Sequence, residues 1–240
     1  MRLVLTERGR SEVLDAVAAA PAPTLRAVRR HGKQLALDFD TPFTFQLHLG
    51  MSGRVEPTVV GGSFPRHTRF VWLLMDGRGL AFVDQRRFAR FGLRTGDPDP
   101  LDFSGLGPDA LEADLDQWAR ALARPAPVKP SLLDQGRLAG VGNIYACEGL
   151  YAAGVDPRTP CDALAPETIA GVRAAVVASM NATLTREGEG PMRYVNEGHV
   201  VNPFAVYGRA GEPCPRCAQS IERFTQAGRS TFWCSACQRG

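Results

Sequence analysis

Four cysteines near the C-terminus constrain this chain more than any other feature. Two residues separate Cys214 from Cys217 and Cys234 from Cys237, and sixteen residues part the two pairs. That spacing lets both thiolates of each pair reach one tetrahedral ion, so the array reads as a site for one structural Zn2+. Between the pairs, IERFTQAGRSTFW alternates and turns at Gly228 as two short strands would. A zinc ribbon is expected, with the metal acting as a staple. Chemistry must then come from what the ribbon carries. Arg229 stands at its predicted tip, where a guanidinium can give two hydrogen bonds to a phosphate, which makes it a candidate nucleic-acid contact.

The remaining chain is long enough for two domains, since 240 residues at 44% hydrophobic content support real cores. No apolar run approaches a membrane span, and MRLVLTERGR carries charge where a signal peptide needs an apolar stretch. A soluble cytoplasmic protein with no membrane association is expected. Cys147 and Cys161, outside the array, are expected to be buried, inert thiols. Residues 201–240 hold five arginines against Glu212 and Glu222, which accounts for the whole net charge of +3. Two further basic clusters are Arg26, Arg29, Arg30, His31, Lys33 and Arg86, Arg87, Arg90. From Asp97 to Asp116 there are seven acids and no base, so that stretch should face away from any polyanion.

The periodicity predicts an α+β chain. A short helix is expected over 11–20, then strands: Phe43, Phe45, Leu47 and Leu49 alternate with polar residues, and 69–75 with 80–83 form a hairpin around Asp76-Gly77-Arg78-Gly79. After Pro108 the pattern turns helical, over 109–123, near Pro130 and over 166–186. In the last of these Ile169, Val172, Val176, Met180 and Leu184 recur as a core stripe. Residues 187–206 are Gly-rich and aperiodic, a mobile loop before the ribbon.

Within LAGVGNIYACEGLYAAGVDP (138–157), Gly140 and Gly142 permit a tight turn that aims backbone N–H groups outward at a helix start, an anion site. Together with HLGMSGR (48–54), DQRRFARFG (84–92) and the ribbon, this motif makes the chain, from about residue 25 onward, resemble the formamidopyrimidine-DNA glycosylase family. The resemblance implies an N-terminal β-sandwich (1–105), a helical domain with a helix-two-turns-helix motif (106–204) and a zinc finger (205–240). It implies a monomer acting in the cytoplasm, on nucleoid DNA, upon double-stranded DNA with a damaged base or abasic site. The implied activity is removal of oxidised purines, 8-oxoguanine and formamidopyrimidines, followed by nicking of the abasic site.

By the same resemblance Met51, Arg86 and Phe88 fill the void left when the damaged nucleotide swings out, a task suited to apolar wedges and a cation. Core packing is the alternative for Met51 and Phe88. Lys33, Asn143 and Arg229 match the grip on phosphates flanking the lesion, and Lys33 and Arg229 the proton donors of elimination. His67 resembles a further DNA contact or is an ordinary surface histidine. Lys129 precedes the helix-two-turns-helix motif and is otherwise a solvated lysine.

The family's nucleophile is an N-terminal proline amine followed by a glutamate, whereas this sequence opens Met1-Arg2-Leu3. An α-amine is suited to attack because its pKa is about 7.7–8.0 against about 10.4 for lysine. The amines present are the Met1 terminus, Lys33 and Lys129, and the family's leading strand and helix are expected to be missing. Two readings follow: the start lies upstream and the protein is an ordinary glycosylase and lyase, or the chain binds damaged DNA without cutting it. A zinc-ribbon protein of RNA or transcription is the third alternative, which the four motifs disfavour.

Overall fold

The computed structural model describes the backbone of residues 2–5 and residues 23–59, 61–96, 103–187 and 202–239. The helix expected over 11–20 and most of the loop expected over 187–206 lie outside the described residues. The chain divides into two compact units, Met1–Ser104 and Gly105–Gly240.

The first unit is built from eight described strands. These are β1 (Arg2–Leu5), β2 (Leu25–His31), β3 (Gln34–Phe39), β4 (Phe43–His48), β5 (Gly53–Val59), β6 (Thr68–Leu73), β7 (Arg78–Asp84) and β8 (Arg90–Thr95). They form two antiparallel sheets, ordered β1-β6-β7-β5 and β2-β3-β4-β8. Alternation puts Leu37, Phe45 and Leu47 of one sheet against Phe70, Trp72 and Phe82 of the other. Phe45 meets Phe70 and Trp72 edge-on at centroid distances of 5.8 and 5.3 Å, so the two sheets are joined by an aromatic core. The predicted hairpin is present as β6 and β7.

Alternation misleads at Thr44, which is fully buried although it lies on the face expected to meet water. Its hydroxyl donates to Asp38 Oδ1 at 3.0 Å, and Arg29 covers that carboxylate from Nε at 2.6 Å and Nη2 at 2.9 Å. Arg29 is therefore bound to a structural acid rather than contributing fully to the basic cluster in which the sequence places it.

The second unit contains α1 (Leu115–Leu122), α2 (Val128–Leu132), α3 (Asn143–Ala153), α4 (Pro166–Glu187) and the strands β9 (Glu222–Gln226) and β10 (Arg229–Trp233). The helix predicted over 109–123 begins only at Leu115. Asp114 caps it by accepting from Gln117 N while the Gln117 side chain returns the bond to Asp114 N. Upstream, Asp109 accepts from Leu111 N, and Ala110 N bonds Ala139 O, so those residues turn instead of winding.

Helix α4 matches its prediction closely, and Val172, Val176 and Met180 enter the core with Trp118, Leu132 and Leu150. Leu184 departs from the expected stripe: it is 61% exposed, whereas Val172, Val176 and Met180 on the earlier turns are buried. Cys147 and Cys161 are buried as expected, and burial pushes both thiols above their ordinary pKa. Among the described residues no helix is long and apolar enough to cross a membrane.

Candidate nucleic-acid interface

Helix α3 begins where the sequence places an anion site. Gly140 has φ 106°, a conformation that favours glycine, and bends the chain into the helix. Gly142 differs from expectation: at φ −107° it is an extended N-cap that any residue could adopt. Among the described residues no side chain caps this end and no acid occupies its first turn, which leaves the positive end of the helix dipole available to an anion.

The ribbon hairpin docks beside that end. Asn143, the first helical residue, donates from Nδ2 to Ser230 O at 2.9 Å. Lys129 donates from Nζ to Thr231 Oγ1 at 2.9 Å and to Ser230 O at 3.3 Å. Lys129 is 0% exposed, which overturns the reading of it as a solvated lysine. Burial pulls its ammonium below the ordinary lysine range; Cys147 acts in the opposite direction, and the nearby positive charge of Arg229 lowers it further. Arg229 itself is exposed at the start of β10. Arg223 adds bonds to Ser230 Oγ from Nε at 3.2 Å and Nη2 at 2.9 Å. A helix N-terminus, an amide and several cations thus share one edge of this unit.

That edge is held by contacts the sequence reading missed. Glu148, on α3, accepts from the backbone N–H groups of Ala205, Val206 and Tyr207 at 2.8–2.9 Å, fixing the approach to the ribbon. A lone acid in an otherwise apolar helix was the available signal. Arg216 of the ribbon donates to Tyr151 O at 2.8 Å and Ala152 O at 3.2 Å, satisfying carbonyls at the end of α3. Gln238 donates to Val155 O at 2.9 Å, and Tyr151, Cys147, Val206 and Ile221 close the apolar side.

The four cysteines fit a metal. Their Sγ atoms all lie within 4.8 Å of one another, with Cys214 to Cys237 at 3.9 Å and Cys217 to Cys234 at 3.5 Å. Tetrahedral Zn–S bonds of about 2.3 Å would set sulfurs about 3.8 Å apart. The ribbon is a structural zinc site, all four positions being filled by thiolates.

In the first unit Lys33 is exposed in the turn between β2 and β3. Sheet register sets Gln34 and Arg90 on either side of His48, and His48 Nδ1 accepts from Gly50 N at 3.0 Å. Burial, then the charges of Lys33 and Arg90, hold His48 below its ordinary pKa. Beyond this turn Met51 is 62% exposed, and Phe88, between β7 and β8, is 51% exposed, which excludes core packing for both. Arg86 lies over the Phe88 ring at 4.7 Å from its centroid. His67, half-buried at φ 67°, borders a cavity of about 290 Å³ together with Arg69, Asp84 and Arg87. The structure brings Asn143, Lys129 and Arg229 together in one unit, while Lys33, Met51, His67, Arg86 and Phe88 belong to the other.

Known proteins carry the same parts in the same order. The model of the formamidopyrimidine-DNA glycosylase N-terminal domain matches residues 6–91, that of its H2TH domain residues 106–193, and that of the zinc finger found in FPG and IleRS residues 211–240. A formamidopyrimidine-DNA glycosylase of Corynebacterium jeikeium (strain K411) is 39% identical over 254 residues, covering 96% of this chain and 88% of the relative. The structure of the MutM (Fpg) protein from Thermus thermophilus superposes with a TM-score of 0.79 at 30% identity, covering 99% of this chain and 90% of that one. The fold also matches the Lactococcus lactis Fpg solved in complex with abasic-site DNA, with a TM-score of 0.84 at 23% identity, over 100% of this chain and 92% of that one. A β-sheet domain, a helical H2TH domain and a four-thiolate finger define a zinc-finger DNA glycosylase architecture. The chain belongs to the formamidopyrimidine-DNA glycosylase family. The likeness begins nearer the start than the sequence motifs indicated, at residue 6 rather than about residue 25.

Proposed function

We propose that this chain is a DNA glycosylase of oxidative repair that removes 8-oxoguanine and formamidopyrimidines from double-stranded DNA and, as an abasic-site lyase, nicks the strand afterwards. One observation carries the reading within this family: Ser230 and Thr231 tie the ribbon hairpin to Asn143 and Lys129 at the open N-terminus of α3. Helix N-termini favour phosphate, and guanidinium groups bind it bidentately. Asn143 and Arg229 therefore grip backbone phosphates beside the lesion, with Lys33 as a second grip. Neutralising phosphates releases counterions, so affinity should fall steeply with salt.

Lys33 and Arg229 serve as proton donors in strand cleavage. Met51, Arg86 and Phe88 occupy the space left by the extruded nucleotide; their exposure and the stacking of Arg86 on Phe88 support that role. His67 contacts the DNA beside them. The protein works as a monomer on nucleoid DNA in the cytoplasm, in three parts: a β domain over 1–105, a helical domain over 106–204 and the finger over 205–240.

An amine that attacks the sugar carbon displaces the base and leaves a Schiff base, which borohydride reduces to a stable bond. Zinc-loaded protein incubated with an 8-oxoguanine duplex and borohydride should yield a covalent protein–DNA complex. Tight binding to the lesion without such a complex would instead make the chain a non-catalytic binder of damaged DNA.

A further inference from the structure

Met51, Arg86 and Phe88 stand on two separate loops, one between β4 and β5 and one between β7 and β8. A single buried carboxylate joins these loops. Asp84, at the end of β7, is 1% exposed. Its Oδ1 accepts from Ser52 Oγ at 2.6 Å, and its Oδ2 accepts from Ala89 N at 2.9 Å. Ser52 Oγ in turn accepts from Arg86 N at 3.1 Å. The carboxylate thus reaches the residue after Met51, the residue after Phe88 and, through one hydroxyl, Arg86 itself.

The loops also touch backbone to backbone. Gly50 has φ 69°, and a Cβ there would lie 2.7 Å from both Phe88 C and Phe88 O, closer than any side chain tolerates. On the outer side of this contact the guanidinium of Arg86 covers the Phe88 ring.

We propose that Asp84, acting with Ser52, is a positioning residue that holds Met51, Arg86 and Phe88 as one preformed wedge entering the duplex as a unit. The inference rests on the void-filling role proposed above and adds what makes the three side chains act together. Opening a base stack is unfavourable, and a wedge assembled only on contact would also lose conformational freedom for each side chain ordered. An acceptor shared between the loops removes that second loss before DNA arrives. The strands flanking both loops already pair, His48 with Arg90 and Gly53 with Asp84, and the carboxylate carries that coupling into the loops themselves.

The test uses a duplex carrying an abasic-site analogue opposite 2-aminopurine, a base that brightens when it is unstacked. Fluorescence is read at saturating protein, so that weaker binding cannot mimic a weaker wedge. Met51→Ala, Asp84→Ala, Asp84→Asn and Ser52→Ala are compared with the zinc-loaded parent, each after thermal melting has established that it is folded. Asp84→Ala and Ser52→Ala should lower the amplitude by about twofold or more, as Met51→Ala does, and Asp84→Asn, which keeps one acceptor oxygen, should recover part of it. Ser52→Ala alone carries the test if Asp84→Ala fails to fold. Full amplitude in folded Asp84→Ala or Ser52→Ala, with loss in Met51→Ala, overturns the proposal and leaves the void-filling role standing. Full amplitude in Met51→Ala removes the void-filling role and the proposal with it.

Discussion

Arg229 is a single exposed guanidinium at the start of β10, beside the hairpin turn of the finger. Replacing Arg229 by Ala should weaken binding to an abasic-site duplex about tenfold, about 1.4 kcal/mol, and make the slope of log Kd against log salt shallower by about 1. Zinc content should be unchanged, as measured by metal analysis. A zinc-poor variant would mean that Arg229 supports the finger and not the DNA. At this scale chemistry-bearing side chains were legible by type and not by environment. Arg229 was readable because it stands at a metal-stiffened turn, whereas Lys129 was not, because sequence carries no record of burial and its partners Ser230 and Thr231 lie about a hundred residues away. Asp84 and Glu148 escaped for the same reason.

His48 supplies a pH dependence. Its folded pKa lies below the ordinary imidazole value of about 6.5, so between those values the unfolded chain binds a proton that the native site refuses. Its contribution to stability is complete above about pH 6.5 and is lost as pH falls through that window. Protonation would also remove the acceptor for Gly50 N in the turn leading to Met51. The melting temperature should therefore drop more between pH 7 and about pH 5.5 in the parent than in His48→Gln.

At the scale of elements, legibility followed local pattern. The ribbon strands and α4 were clear because a fixed metal spacing and a helical stripe need no tertiary information. The start of α1 was misplaced because Asp109 and Asp114 are both good N-cap residues, and only the pairing of Ala110 with Ala139 decides between them. The ribbon turn shows a second local conflict. Ala227 has φ 47° and Gly228 φ 72°, the pair of positive values that a two-residue hairpin turn requires, yet alanine disfavours that region by about 1–2 kcal/mol. Ala227→Asn should stabilise the zinc-loaded protein by about 1 kcal/mol, read as a higher melting temperature with DNA affinity preserved.

At the scale of the whole molecule, the order of sheet, helices and zinc finger was written in the sequence, because each part declares itself by a different signal: alternation, helical period and cysteine spacing. The joining of parts was less visible. Contacts such as Glu148 with residues 205–207 or Asn143 with Ser230 link segments by geometry that no short window contains. Family resemblance supplied much of what periodicity could not, including the residues proposed for the phosphate grip and the wedge. Release of a damaged base is the central claim. Chromatography of the reaction of zinc-loaded protein with an 8-oxoguanine duplex should show free 8-oxoguanine from the parent and markedly less from Arg229→Ala. No released base from the parent, even where it binds the damaged duplex tightly, would contradict it.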